Sequence, residues 1–254
     1  MATLRNEEEL RRTAERDTEI RLADAALAAR LSVPAEPLAA VAFAHGSGSS
    51  RLSTRNRLVA STLNEAGIAT LLFDLLTPGE ALDRRNVFDI ELLARRLTGA
   101  AGWTAGRPDV GRLPLGLFGA STGAAAALVA AAELGGGVGA VVSRGRRPDL
   151  AAESLPEVAS PTLLVVGGAD PVVLELNRSV VPLFAGEVEL EVVPGASHLF
   201  EEPGALDRVA ALAREWFLRS PRRRTKGGAM KVTFESRPHD PEREATLTKK
   251  GRKS

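Results

Sequence analysis

The sequence contains no cysteine and no tyrosine, and its few lysines are confined to the carboxyl-terminal segment. Without cysteine, the chain cannot form a disulfide, a thiolate zinc site, an iron–sulfur cluster or a thiol nucleophile. Because residues 1–220 contain no lysine, they also cannot form a phosphate-binding P-loop, a protein-kinase site or a Schiff-base site. These absences leave serine as the usable nucleophile.

The formal net charge of +1 is the sum of two unlike parts. Residues 1–220 carry 22 basic and 28 acidic side chains, a net charge of −6, whereas residues 221–254 carry 11 and 4, a net charge of +7. The chain is therefore an acidic body followed by a basic tail.

The body has the composition of a globular protein, since the chain has 254 residues of which 44% are hydrophobic and 26% charged. The segment from Met1 to Glu19 is charged and has no apolar run, so no targeting segment is visible and a cytoplasmic location is expected. The most apolar stretch, Gly123 to Val142, is interrupted by a glutamate and three glycines, which predicts a buried helix, a loop and a strand instead of a membrane span.

Continuous apolar runs of strand length recur along the body. Such runs, unlike alternating ones, suit strands that are buried on both faces of a parallel sheet. The runs are Ala39–Ala44, Ala69–Phe73, Pro114–Phe118, Val138–Val142, Thr162–Val166 and Val188–Val193. Two earlier segments, Glu19–Leu22 and Leu27–Val33, resemble a hairpin.

Helical patterns lie between these runs. They are Thr54–Ala66, Val87–Leu97, Gly123–Leu134, Val173–Leu183 and Ala205–Leu218. Repeated alternation of strand and helix, with right-handed crossovers, predicts a three-layer α/β domain with a mostly parallel sheet and an antiparallel amino-terminal edge.

This pattern assigns residues 1–17 to a lead-in, residues 18–220 to the α/β domain and residues 221–254 to a tail. The tail is rich in Arg, Lys, Gly and Pro and has few large apolar residues, so we expect it to be disordered.

The most informative motif is Gly119-Ala120-Ser121-Thr122-Gly123, which lies where a predicted strand meets an alanine-rich helix. That position is the one a nucleophile elbow requires, because the serine adopts a strained backbone there and the flanking glycines allow close packing. Ser121 is therefore the candidate nucleophile.

A serine nucleophile needs a histidine base and an orienting carboxylate. His198 follows the last predicted strand, at the carboxyl edge where ligand sites of α/β sheets gather. Asp170 ends the strand before it, and the order Ser, acid, His is that of α/β hydrolases. Asp170 could instead cap the following helix, or do both. The rival acids Glu175, Glu201 and Glu202 lack the same strand-end placement.

An oxyanion hole needs two backbone donors. The amide of Thr122, directly after the nucleophile, is one candidate, and that of Ser47, in the loop His45-Gly46-Ser47-Gly48, is the other. This loop does not match the dinucleotide-binding motif G-x-G-x-x-G, because Arg51 stands at the position of the third glycine.

The chain resembles the α/β hydrolases, specifically the dienelactone-hydrolase-like family, over roughly residues 18–219. The segments that carry the resemblance are AHGSGSS at Ala44–Ser50, GLFGASTGAAAAL at Gly116–Leu128, VGGAD at Val166–Asp170 and PGASHLFEEPG at Pro194–Gly204.

The resemblance implies a Ser121, His198 and Asp170 triad, with the amides of Ser47 and Thr122 as oxyanion donors. It also implies a serine esterase or lactonase that acts on a small substrate without metal or organic cofactor. One departure stands out, because dienelactone hydrolases proper use a cysteine nucleophile, which this chain lacks. Ester, lactone or thioester hydrolysis in general is the activity expected.

Arginines follow several predicted strands and could contact a substrate. We take His45, Arg51 and Arg144 as candidate substrate-binding residues, with Arg146 and Arg147 close to the last of these. Guanidinium groups bind carboxylates and phosphates, which would favour an anionic substrate, although solvated arginines are an equally good interpretation.

Two further hypotheses compete with a serine hydrolase. The chain could be a non-catalytic binding protein with the same fold, or its basic tail could bind nucleic acid or another acidic partner. Against nucleic acid, the tail offers only Phe234 as a stacking ring, and the acidic body would repel phosphate. The sequence predicts no membrane partner and leaves the oligomeric state open.

Overall fold

Eight strands form one sheet in the order β1-β2-β4-β3-β5-β6-β7-β8. The structure is a computed structural model that describes residues 13–145 and 147–219. Strands β3 to β8 are parallel to one another, whereas β2 pairs antiparallel with both β1 and β4. The strands are β1 (Ala14–Arg21), β2 (Ala26–Val33), β3 (Ala39–Ala44), β4 (Ile68–Phe73), β5 (Leu115–Ala120), β6 (Ala140–Arg144), β7 (Thr162–Gly167) and β8 (Val188–Val193).

Helices follow most of the parallel strands. They are α1 (Thr54–Glu65), α2 (Arg84–Phe88), α3 (Ile90–Ala105), α4 (Thr122–Leu134), α5 (Pro171–Val180) and α6 (Ala205–Arg219). Short 3₁₀ turns are present at Glu80–Leu82, Gly135–Gly137, Pro148–Ala151, Leu155–Glu157 and Val181–Leu183.

The sheet separates two hydrophobic layers. Helices α3, α4 and α5 contribute to the core on one face, and α1 and α6 contribute to the core on the other. Successive strand residues alternate between them, so that Val141 joins the first core and Val142 the second. Helices on both faces of a mostly parallel sheet with an antiparallel amino-terminal edge confirm the predicted three-layer α/β-hydrolase fold.

The edge strands differ from the buried central ones. β8 is partly exposed along most of its length, because Glu189 and Glu191 alternate with apolar residues as in a strand with only one dry face. β1 starts at Ala14, which places four residues of the expected 1–17 lead-in within the sheet. Residues 1–12 of the lead-in and the predicted tail at 221–254 lie outside the described residues.

The predicted Val87–Leu97 helix is interrupted at Asp89, which caps both α2 and α3, and α3 continues to Ala105 before the cap residue Gly106. Gly99 lies within the helix, where a Cβ atom would be 2.7 Å from Leu22 Cδ2. The absence of a side chain therefore lets the β1–β2 turn pack closely on α3. Along the described part of the chain, no helix is long and apolar enough to cross a membrane.

Candidate active site

Ser121 lies in a sharp turn between β5 and α4. Its backbone has φ 56° and ψ −121°, in the left-handed region that non-glycine residues rarely adopt. The Ser121 N–H donates to the Arg144 carbonyl at 3.0 Å, which ties the turn to the neighbouring strand β6. Such strain in a buried, hydrogen-bonded turn is typical of functional sites.

The two motif glycines make this turn possible. A Cβ atom on Gly119 would lie 2.4 Å from the Gly123 carbonyl oxygen, and one on Gly123 would lie 2.3 Å from the Ala44 carbonyl oxygen. Both distances are far below van der Waals contact, so the helix and the strand can approach each other only without these side chains.

The loop after β3 packs against the serine. A Cβ atom on Gly46 would lie 2.9 Å from Ser121 Cβ, so the backbone next to Ser47 approaches the candidate nucleophile closely. The Ser47 amide donates to no acceptor among the described residues. Thr122 is the first residue of α4, where an amide has no intrahelical acceptor. The two candidate oxyanion donors therefore belong to the two backbone segments that meet at Ser121.

Asp170 and His198 lie close to each other at the same edge of the sheet. Asp170 Oδ2 is 3.9 Å from His198 Nδ1, and both side chains are 21% exposed. The other carboxylate oxygen, Oδ1, accepts a hydrogen bond from the Val173 amide at 3.2 Å and caps α5. One carboxylate oxygen of Asp170 therefore caps α5, while the other faces His198.

A glycine at the end of β7 holds the histidine loop against the sheet. A Cβ atom on Gly167 would lie 2.3 Å from the Ala196 carbonyl oxygen, and the Ala169 amide donates to the same oxygen at 3.0 Å. The loop then reaches back across the sheet, since Phe200 packs with its ring centroid 5.9 Å from the guanidinium carbon of Arg144. Arg144 is the residue bonded to Ser121, so the histidine loop extends toward the serine.

The rival acids have other partners. Glu201 accepts a hydrogen bond from Arg55 at 3.1 Å, and Glu175 forms an ion pair with Arg178 within its own helix. Hydrogen bonds from Ser197 lower the pKa of Glu202. Asp170 combines the strand-end position with proximity to His198, which neither Glu175 nor Glu201 does.

His45 is engaged on both ring nitrogens. Nδ1 lies 2.9 Å from the Gly46 carbonyl oxygen, and Nε2 accepts a hydrogen bond from the Leu75 amide at 3.1 Å. Burial lowers the pKa of His45, which favours the neutral ring that can donate at Nδ1 and accept at Nε2. The ring thus joins the candidate oxyanion loop to the segment after β4, and the sequence did not reveal this positioning role.

The candidate arginines differ in their surroundings. Arg51 donates to Asp74 from its backbone at 2.7 Å and from its guanidinium at 2.6 Å, so it already has a carboxylate partner. The Arg147 guanidinium donates to Asp149 through Nε and Nη2. Among the described residues, Arg144 has no carboxylate partner, whereas Arg146 lies outside them.

Comparison with known proteins identifies the family. Dienelactone hydrolase from Anabaena variabilis, a solved structure, is 51% identical to the chain with a TM-score of 0.80, and the match covers 83% of this chain and 99% of that one. The chain belongs to the dienelactone hydrolase family. Its membership supports a hydrolase, in agreement with the resemblance seen in the motifs.

More distant structures share the fold. Est1E from Butyrivibrio proteoclasticus is 17% identical with a TM-score of 0.68, and the match covers 80% of this chain and 98% of that one. No profile of a known protein family matches the sequence. Within the described residues, no group of three or more His, Asp or Glu side chains could hold a metal ion.

Two curated relatives from Mycobacterium tuberculosis strains are 62% identical over 192 residues, which is 76% of this chain. They are provisionally named phosphoribosyl transferases. The chain spans only 43% of the length of these relatives. More than half of each relative therefore lies outside the matched region, and its name covers that region as well.

Proposed function

We propose that this hydrolase cleaves an ester, lactone or thioester bond of a small substrate through Ser121, His198 and Asp170. The observation that carries the proposal is the backbone of Ser121, held at φ 56° between β5 and α4 while Asp170 and His198 pair at the same sheet edge. The order of these residues along the chain is that of the α/β hydrolases.

In the proposed mechanism, Ser121 Oγ attacks the substrate carbonyl carbon while His198 removes the hydroxyl proton. Asp170 Oδ2 holds the imidazole through Nδ1 and stabilises the imidazolium that forms. The negative charge on the tetrahedral oxygen is stabilised by the amides of Ser47 and Thr122.

Collapse of the tetrahedral species breaks the bond to the leaving group, which takes the proton from His198 and leaves an acyl group on Ser121. His198 then deprotonates a water molecule that attacks the acyl-enzyme and releases the acid. His198 acts as the base in its neutral form and as the acid once it carries the proton taken from Ser121.

Hydrolysis of a short-chain 4-nitrophenyl ester tests the proposal. We expect Ser121→Ala to reduce kcat by roughly 10³-fold or more, since the nucleophile cannot be replaced. Ser61→Ala, which removes an exposed hydroxyl of α1, is the matched control and should retain wild-type activity. Equal activity in the wild type and Ser121→Ala would contradict the mechanism, and a folded protein inactive on esters, lactones and thioesters would favour a non-catalytic binding protein.

A further inference from the structure

The loop that carries the candidate oxyanion donor Ser47 is held at two places. It connects β3 to α1. Near its start, Gly46 packs against Ser121, since a Cβ atom on Gly46 would lie 2.9 Å from Ser121 Cβ. Further along, Arg51 is bonded to Asp74, the first residue after β4. Ser47 lies between these two contacts.

The stretch between the two contacts has little packing of its own. Ser47, Gly48 and Ser49 are exposed, and a Cβ atom on Gly48 would have no neighbour within 4 Å in the described part of the chain. A turn supports the stretch internally, because the Ser49 amide donates to the Gly46 carbonyl at 3.2 Å. A loop tip with so few contacts is positioned through its ends, so the direction of the Ser47 amide depends on the two anchors.

Asp74 binds Arg51 through both carboxylate oxygens. Oδ1 accepts a hydrogen bond from the Arg51 backbone amide at 2.7 Å, and Oδ2 accepts one from Arg51 Nη1 at 2.6 Å. Hydrogen bonds to an ionised acceptor are shorter and stronger than neutral ones. The first of these bonds fixes the main chain of the loop, so it constrains the loop more directly than an ion pair between side chains alone.

Asp74 is itself fixed to the sheet. β3 and β4 are neighbouring parallel strands, so the residues that follow them meet at the same edge. The Asp74 amide donates to the Ala28 carbonyl of β2 at 3.0 Å. The next residue, Leu75, is fully buried and donates its amide to His45 Nε2 at 3.1 Å. The loop is therefore tied through both of its ends to one short segment that is anchored in the sheet.

The Arg51–Asp74 pair matters less for folding than for position. The two side chains are 30% and 20% exposed, and ion pairs that solvent reaches stabilise proteins only slightly. A hydrogen-bond donor in an active site, in contrast, must lie within roughly 0.5 Å of its productive place. A small displacement of the loop would therefore slow the reaction while the protein stays folded.

We propose that Asp74 is a positioning residue for the hydrolysis. By binding the amide and the guanidinium of Arg51, it holds the loop so that the Ser47 amide faces the oxyanion. This inference rests on the proposed function and adds to it the residue that fixes one of the two oxyanion donors. In this role Asp74 acts through Arg51 and contacts no reacting atom.

The first test compares 4-nitrophenyl butyrate with its thionoester, in which sulfur replaces the carbonyl oxygen. Sulfur is a weak hydrogen-bond acceptor, so the oxyanion donors contribute much less to hydrolysis of the thionoester. Since removal of one donor costs about 10²- to 10³-fold in rate, Asp74→Ala, which displaces a donor, should lose about 10- to 100-fold in kcat/KM on the ester. The loss on the thionoester should stay below about 3-fold, so the ester-to-thionoester ratio of kcat/KM values should fall.

Asp74→Asn should give an intermediate result. Its side-chain oxygen can still accept the hydrogen bond from the Arg51 amide, whereas the charge that attracts the guanidinium is lost. We expect an ester-to-thionoester ratio between those of the wild type and Asp74→Ala. A ratio in Asp74→Asn no higher than in Asp74→Ala would contradict the role assigned to the backbone hydrogen bond.

Asp149→Ala is the matched control, because Asp149 binds the Arg147 guanidinium in a separate segment, after β6. It should keep the wild-type ratio. A wild-type ratio in Asp74→Ala, whether activity is retained or falls equally on both substrates, would overturn the positioning role. Loss of ester hydrolysis in Ser121→Ala would then still support the proposed function, so the two failures are distinguishable.

Binding of a short-chain alkyl trifluoromethyl ketone gives a readout without turnover. In the bound form, Ser121 Oγ adds to the carbonyl carbon, the hydroxyl proton passes to His198, and the carbonyl oxygen becomes an oxyanion. The Ki should rise about 10-fold or more in Asp74→Ala, while the Tm stays within a few degrees of the wild-type value. An unchanged Ki, or a Tm lower by about 10 °C or more, would assign Asp74 a structural role and contradict the proposal.

Discussion

Replacing Gly46 with alanine should slow the reaction by moving the turn that contains Ser121, while the protein remains folded. The new methyl carbon would lie 2.9 Å from Ser121 Cβ and 3.1 Å from the Ala120 carbonyl oxygen. Because carbon atoms pack best at about 3.5–4.0 Å, the loop and the turn must separate by roughly 0.5 Å or more. A displacement of about 1 Å can cost about 10²-fold in rate, so we expect a loss of about 10-fold or more, equivalent to about 1.4 kcal/mol of transition-state stabilisation.

The assay is kcat/KM on a neutral 4-nitrophenyl ester, measured beside the free energy of unfolding from urea titration. Overpacking should also cost about 1–3 kcal/mol of stability, which leaves the protein folded at 25 °C. Gly136→Ala is the matched control, since a Cβ atom there has no neighbour within 4 Å, and it should leave both quantities unchanged. Wild-type kcat/KM in Gly46→Ala would refute the reasoning, because the oxyanion loop would then not depend on its contact with Ser121.

The remaining predictions separate the roles of Asp170 and His45. Asp170→Asn should keep the α5 cap and its stability but lower kcat about 10⁴-fold, whereas Asp170→Ala should also lose about 1 kcal/mol of stability; equal activity of Asp170→Asn and wild type would contradict the triad. Burial lowers the pKa of His45 in the folded protein. As the pH falls below about 6.5, the unfolded chain therefore takes up a proton at His45 before the folded protein does. The free energy of unfolding, measured by urea titration, should therefore fall on acidification, and it should fall less in His45→Gln than in the wild type. Equal losses in the two proteins would show that His45 does not cause the pH dependence.

The central sheet could be predicted from the sequence because its strands are apolar on both faces. Val41 and Ala42, for example, contribute to opposite cores, so an uninterrupted run is required there. The amino-terminal edge strand β1 is harder to delimit because it has few buried positions. β1 carries mostly exposed residues from Ala14 onward, and its start depends on pairing with β2 instead of on a local pattern.

The motif around Ser121 could also be predicted, since glycine spacing and position at a strand end are properties of the sequence. Its tertiary partners could not. His45 was a candidate substrate contact, but the structure shows its ring bonded to Gly46 and Leu75, and the second of these lies 30 residues away along the chain. A histidine immediately before a glycine-rich loop was a visible signal, although nothing local identified Leu75 as its partner.

The arginines illustrate the same limit. Arg51 and Arg144 both follow predicted strands and look alike in the sequence. The structure pairs Arg51 with Asp74, 23 residues away, and gives Arg144 no carboxylate among the described residues. Which guanidinium has a carboxylate partner is therefore decided by tertiary contacts, which residue spacing does not encode.

Covalent labelling of the nucleophile tests the central claim most directly. The folded protein is incubated with a fluorophosphonate, digested and examined by mass spectrometry. We predict one adduct, on Ser121, which is absent from Ser121→Ala and retained in Ser61→Ala. The account would be contradicted by an unlabelled Ser121 in a protein that hydrolyses esters, or by equal labelling of Ser121→Ala.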